Sequence, residues 1–236
     1  MESSDTVLRG MRPYVIIYVT SSVDGKLAST TGYSRFSCTY DLVRLHSLRA
    51  VVDAVLVGAN TVVRDDPLLT VRYVAGRNPT RVVVDGRLRI PTNSRVVTDK
   101  SAKTIVFTSS NAPKDKVIKL LSMGVDVVML NCRGYELPMG EVLHELLLRG
   151  VKLLLVEGGG DTIWGLVKYD LFDEFRITLS PYIVGGRGAT PVVGGEGFST
   201  YLDFSKLVLK DVKVCECGNE VHIVYHRKLP TFRMLR

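Results

Sequence analysis

A chain of 236 residues, 46% of them hydrophobic, is long enough to bury one sizeable core, because the buried fraction rises with length. Its longest apolar runs, at 51–57 and 151–156, fall far short of the roughly 20 residues of a membrane helix, which argues against a helical membrane protein. Thirty-one basic against twenty-four acidic residues give a net charge of +7, but with no clustered basic run this favours a phosphorylated small molecule over a nucleic-acid track; a generally basic surface is the plainer alternative.

The opening residues MESSDTVLRGMR carry acids and lack the apolar stretch of a signal peptide, and the four cysteines show no regular disulfide spacing, so a reducing cytoplasm is the expected compartment. Residues 13–20, PYVIIYVT, form a near-continuous β-branched and aromatic run, as in a strand covered on both faces. After a turn at 23–26, Leu42, Leu45 and Leu48 at helical spacing predict a helix over 39–49 packed on the sheet, with Ser37 as its cap. Strands follow at 53–57, 81–84 and 104–107, with a short helix at 59–64 and a loop holding Pro91. Val117, Leu120 and Leu121 predict a helix over 113–123, closed by Gly124 and followed by a strand at 125–130. A helix over 140–149 repeats the device with Gly150, ahead of a strand at 152–156 and a helix at 162–167. Strand-like segments at 174–179, 207–214 and 220–225 close the series, the last two joined at 215–219 as an antiparallel hairpin. Alternating strands and helices imply an α/β fold with a mostly parallel, doubly wound sheet, because parallel strands need crossover connections. We read one domain over 13–228 between tails at 1–12 and 229–236.

Ligands of open α/β sheets bind beyond the carboxyl ends of the strands. The loop Glu157, Gly158, Gly159, Gly160, Asp161 opens a helix, so its glycines allow close backbone approach and its N–H groups face a phosphate; a tight turn is the alternative. In the loop after Val57, Pro67 stops the helix near Asp66 and leaves Asp65 and Asp66 at a helix C-terminus, where negative charge calls for an offsetting partner or ligand; on spacing alone, two aspartates that merely cap a turn are the plainer alternative. Arg72 adds a fork suited to phosphate. The turn after Val84 carries Arg87 and Arg89, either solvated or holding a 2′-phosphate. Arg49 lies beside the core-facing stripe of its helix and needs an anion, either a substrate phosphate or an internal salt bridge.

Several stretches together resemble the reductase family of the riboflavin pathway: RPYVIIYVTSSVDGKLA at 12–28, LRAVVDAVLVGANTVVRDDPLLTVR at 48–72, NPTRVVVDGRLRIP at 78–91, VEGGG at 156–160 and LSPYIVGGRGATPVVGGEGF at 179–198. The resemblance implies a dihydrofolate-reductase-like fold, a homodimer, and reduction of a ribosylaminopyrimidine 5′-phosphate to its ribitylamino form by NADPH, with NADH as the alternative. The 2,5-diamino-pyrimidinone is the first substrate implied and the deaminated aminouracil the second; a pterin reductase and a basic nucleic-acid-binding protein are the rivals. The match sets Thr61, Asp65, Gly86, Arg87, Leu88, Arg89, Gly158, Gly159, Gly160, Asp161 and Thr162 against the cofactor, with Phe36 near the nicotinamide. It sets Ser34, Arg49, Leu69, Arg72 and Glu157 against substrate, with Arg49 and Arg72 for the phosphate and Asp65 or Glu157 as proton relay. Asp161 departs from the uncharged residue of many relatives; beside a pyrophosphate it would repel, so the backbone is expected to bind there while Asp161 caps the helix. The H-x-E and P-C-x-x-C zinc arrangement of a deaminase is absent from the sequence, and Cys215 and Cys217, spaced C-x-C, are read as structural, so no metal is expected.

Overall fold

The computed structural model describes residues 12–228, so the expected tails lie outside the described residues except for Arg12. Nine strands form one sheet in the order β10-β11-β8-β1-β7-β3-β4-β5-β6. They are β1 (Tyr14–Ser22), β3 (Ala54–Gly58), β4 (Thr80–Val84), β5 (Thr104–Ser109), β6 (Asp126–Leu130), β7 (Leu153–Val156), β8 (Glu174–Ser180), β10 (Leu207–Val214) and β11 (Val221–Arg227). From β8 to β6 all pairings are parallel, while β11 joins β8, and β10 joins β11, antiparallel. The parallel sheet and its C-terminal antiparallel pair match the expected class.

Each central strand is apolar on both sides, and its alternation divides the core in two. Val15, Ile17, Val19, Ala54, Leu56, Leu154 and Val156 face one cluster, which α5 (Met139–Leu148) covers with Val142, Leu143 and Leu146 and α6 (Gly160–Val167) with Ile163 and Leu166. Ile16, Tyr18, Val55, Val57, Val83 and Leu155 face the other, covered by α2 (Ala59–Asp65), α3 (Arg95–Thr98) and α4 (Lys114–Ser122). Among the described residues no helix is long and apolar enough to cross a membrane.

Three expectations change. The helix α1 (Thr39–Val51) is capped by Cys38, whose sulfur accepts the Asp41 N–H at 3.4 Å, while the Ser37 hydroxyl is taken by Thr20 at 2.9 Å. Its fully buried residues are Asp41, His46 and Arg49, whereas Leu45 and Leu48 only rest against the core. Leu121 of α4 is half exposed, because the buried stripe of that short helix runs through Val117 and Leu120. Two elements have no periodic signal at their length: α3, one turn in the loop after Pro91, and the two-stranded ribbon of β2 (Lys26–Ala28) with β9 (Thr190–Pro191).

A buried ion pair fastens the first strand. The Arg12 guanidinium donates to both Asp173 oxygens at 2.6 and 2.9 Å, and the Val15 N–H donates to Oδ2 at 2.9 Å. Removing one partner strands a charge in the interior, so Asp173→Ala is expected to lower unfolding free energy by about 3–5 kcal/mol in urea titrations.

Candidate active site

The parallel strands end on one edge, with the loops after β1, β7, β3 and β4 side by side at strand spacing, so residues far apart in sequence share one cleft. An inner chamber of about 260 Å³ is walled by Tyr18 and Thr20 of β1, Leu27 and Ala28 of β2, Arg49 of α1, Thr61 and Asp65 of α2, and by Leu69, Glu157 and Gly159. It adjoins an outer basin of about 970 Å³ through shared Gly32, Ser34, Ser37, Asp65 and Pro67; Arg35, Arg64, Arg72 and Arg95 stand around that basin.

Arg49 and Glu157 form a bidentate ion pair on the chamber wall. The guanidinium donates through Nε and Nη2 to the two carboxylate oxygens at 2.6 and 2.5 Å, both side chains nearly buried, and Nη1 donates to the Thr70 carbonyl at 3.0 Å. Of the two anions open to Arg49 on sequence grounds, the structure supplies the internal one. Its fork is filled, and this departs from its expected use on a phosphate. Arg72 differs: its guanidinium donates only to Thr70 Oγ1, at 3.2 Å, and among the described residues it has no carboxylate in ion-pair reach. Burial and the charges of Arg49 and Arg95 press it toward its neutral form, so an anion there would relieve three like charges at once.

The two aspartates separate. Asp66 takes a left-handed conformation (φ 40°) ahead of Pro67 and accepts the Arg95 N–H at 2.7 Å, capping α3. Asp65 turns into the cleft, with the Ser34 hydroxyl 3.5 Å away, and partial desolvation raises its pKa against the opposing pull of Ser34, Arg64 and Arg35. Leu69, buried on the chamber wall, also holds a positive φ of 54°, a strain of about 1–3 kcal/mol of the kind that collects at ligand sites.

The loop after β7 fits the phosphate reading. Gly158 and Gly159 have φ of 112° and 83°, open only to glycine at low cost, and α6 starts from Gly159 with no side-chain cap. Thr162 sits so near Gly58 that a β-carbon there would fall 2.3 Å from its hydroxyl, which locks the β3 and β7 loops together. Asp161 is exposed in the first turn of α6 and is not its cap, since the cap position belongs to Gly159. Beyond β4, Gly86, Arg87 and Arg89 line a separate depression with Tyr135, whose ring lies 4.9 Å under the Arg87 guanidinium. Leu88 points the other way, 1% exposed in the core, and offers only its backbone. Phe36 does not line the cleft: its ring is buried against Tyr33 and Tyr182 while Ser34 and Ser37 on either side face the cavity.

Sequence reasoning missed Tyr18, Thr20, Arg35, Arg64, Arg95 and Asp41. The Asp41 carboxylate, wholly buried, accepts from Tyr18, Thr20 and Thr178 hydroxyls, and these bonds hold its pKa down against the opposing effect of burial. The signal available was an aspartate in the first turn of an otherwise core-facing helix, which also suits a plain helix N-terminus.

With this geometry, the comparisons give the class. The model of the RibD C-terminal domain matches residues 13–223, and the chain belongs to that family. It is 41% identical over 203 residues to the 2,5-diamino-6-ribosylamino-4(3H)-pyrimidinone 5′-phosphate reductase of Methanothermobacter thermautotrophicus, covering 85% of this chain and 92% of that one. It is 39% identical over 205 residues to the protein of the same name from Aquifex aeolicus, with 84% and 90% covered. Among solved structures, the diaminohydroxyphosphoribosylaminopyrimidine deaminase/5-amino-6-(5-phosphoribosylamino)uracil reductase of Thermotoga maritima superposes with a TM-score of 0.77 at 28% identity, covering 95% of this chain and 59% of that one.

His46 ties the site to pH. Its Nδ1 accepts the Arg72 N–H at 2.9 Å, and burial, then the charges of Arg49 and Arg72, push its pKa down to about 4. The unfolded chain takes up this proton near pH 6.5, the folded one only near its lowered value, so stability is expected to fall as pH drops through that window, by up to about 3 kcal/mol. Urea unfolding from neutral to acid pH checks this; His46→Gln removes that part of the slope.

Proposed function

We propose that the protein reduces 2,5-diamino-6-ribosylamino-4(3H)-pyrimidinone 5′-phosphate to its ribitylamino form in riboflavin biosynthesis, with NADPH as reductant, as a cytoplasmic homodimer. The observation that carries this reading is the polarity of the cleft: a chamber walled by Asp65 and the Arg49–Glu157 pair opens onto a rim of arginines, as a polar ring with a phosphate tail requires. The deaminated uracil named for the Thermotoga enzyme is the second reading, and the higher identity to the diaminopyrimidinone reductases ranks it lower.

On this reading Arg72, with its unfilled fork, takes the phosphate, and Ser34 and Leu69 border the sugar. The uncapped start of α6 and the backbone at 158–162 receive the cofactor pyrophosphate, while Arg87 and Arg89 favour a 2′-phosphate and hence NADPH over NADH. Reduced nicotinamide, when bound, supplies the hydride to the sugar carbon that bears the amine. Opening the sugar first requires a proton on its ring oxygen, which leaves an electron-poor imine carbon. We assign that proton to Asp65: desolvation raises its pKa, and among the described residues no guanidinium pairs with its oxygens as Arg49 does with those of Glu157. Glu157 then serves to position, and orientation of the two reactants contributes on the order of 7–11 kcal/mol.

Steady-state assays of nicotinamide oxidation with each pyrimidine phosphate test the reading. Arg72→Ala is expected to raise KM about tenfold or more with little change in kcat, the mark of lost uniform binding. Asp65→Asn is expected to lower kcat by about 10²–10⁴. An unchanged KM in the first variant would remove the phosphate assignment, and no oxidation with either pyrimidine would remove the activity.

The dimer is supported by the edge strand β10, which exposes Leu209, Val212 and Val214 between the charged Lys210, Asp211 and Lys213; an unpaired edge with exposed apolar residues offers a surface to a second copy. Sedimentation velocity is expected to give a dimer for the native chain and a monomer for Val212→Asp.

A further inference from the structure

The cysteines, scattered in sequence, do not stay scattered in space. Among the described residues, Cys38, Cys215, Cys217 and Glu220 bring three sulfurs and a carboxylate oxygen within 4.8 Å of one another. They come from two places: Cys38 is the cap residue of α1, and the other three sit in the turn between β10 and β11. That turn is closed by the Cys215 N–H on the Glu220 carbonyl and the Gly218 N–H on the Cys215 carbonyl, both at 2.8 Å. The sulfurs of Cys38 and Cys215 are 3.5 Å apart, near the edge of about 3.8 Å that a tetrahedron of zinc–sulfur bonds of about 2.3 Å requires.

Glu220 gives the independent sign that a ligand belongs here. It is 3% exposed, and its Oε1 accepts from the Cys38 N–H at 2.9 Å and the Ser180 hydroxyl at 3.2 Å, yet Oε2 is buried with no hydrogen-bond partner among the described residues. A buried carboxylate oxygen left without a donor is costly, and a bound cation is one way to satisfy it. Two donors also face the sulfurs. The N-terminus of α1 directs the Asp41 N–H at the Cys38 sulfur, and the Arg44 guanidinium lies 3.9 Å from the Cys215 sulfur and 3.1 Å from Glu216.

We propose that Cys38, Cys215, Cys217 and Glu220 bind one thiophilic divalent cation of the zinc class in a closed, four-ligand structural site. With every position taken by protein, the ion has no open face for substrate, so its work is to hold the hairpin turn against the start of α1. The effect reaches the cleft wall, because Ser37, next to Cys38, lines both cavities, and the single Ser180 hydroxyl proton is shared between Glu220 Oε1 at 3.2 Å and the Phe36 carbonyl at 3.0 Å. Loading the site therefore fixes the segment around 34–38 from behind.

The test uses the full chain, purified under reductant and stripped with a chelator, and titrated with cobalt(II). The expected result is one equivalent bound, with thiolate charge-transfer absorption in the near ultraviolet and the strong visible bands of tetrahedral cobalt, displaced by zinc, and a zinc-dependent rise in Tm. Cys217→Ser, at an exposed thiol whose loss leaves the core untouched, is expected to weaken zinc binding at least about tenfold and to cut the charge-transfer intensity, while Cys132→Ser leaves both unchanged. Glu220→Gln is expected to keep the charge transfer and lose affinity. Absence of thiolate–cobalt absorption in the reduced protein would overturn the proposal, as would a Cys217→Ser spectrum and affinity equal to the native ones, or a Cys38–Cys215 disulfide that forms equally with and without zinc.

Discussion

The Arg49–Glu157 pair joins the last turn of α1 to the first residue beyond β7, and much of the cleft hangs from it. Two charges this deeply buried repay their desolvation only in good geometry with their remaining hydrogen bonds satisfied, which the bidentate contact and the Thr70 carbonyl provide. The pair also sets His46, one turn earlier, to receive the Arg72 N–H, so the backbone of the residue assigned to the phosphate is held through the same helix. The pair is thus a floor for the chamber and a hinge for its cationic rim.

The helix bearing this pair is unusual in what it buries. Asp41, His46 and Arg49 face inward, and each is held by specific partners: hydroxyls of β1 and β8 around Asp41, the Arg72 amide on His46, and Glu157 on Arg49. A helix seated by polar contacts has fewer ways to sit than one seated by interchangeable leucines, because each mismatch leaves a buried group unsatisfied. This is a physical reason for the cleft edge to be built on α1: buried polar partners hold its wall in one position.

The series of elements was legible because interior parallel strands are near-continuous apolar runs and their crossover helices are punctuated by glycine, as at Gly124 and Gly150. Boundaries moved by a residue or two, and the cap of α1 moved from Ser37 to its neighbour, since the helix starts at Thr39 and so makes Cys38 the cap residue, while the Ser37 hydroxyl bonds Thr20. The site was legible in parts. Local chemistry marked the glycine loop, the stop at Pro67 and Arg72. The partners did not show: Arg49 and Glu157 are 108 residues apart, Asp41 and Thr178 are 137, and Cys38 and Cys215 are 177.

By itself, then, the sequence determined the alternation of strands and crossovers, the single core split by a sheet, and the loops where a ligand would lie, because these follow from short-range periodicity and backbone freedom. Only the tertiary structure decided which charges meet. It gave Arg49 to Glu157 and left Arg72 open, sent Asp66 to a helix cap and Asp65 to the cleft, turned Phe36 and Leu88 inward, and drew three cysteines to one carboxylate. The reason is the range of the forces involved. Hydrophobic pattern is written along the chain, whereas an ion pair or a ligand cluster exists only after the sheet has brought distant strand ends to one edge.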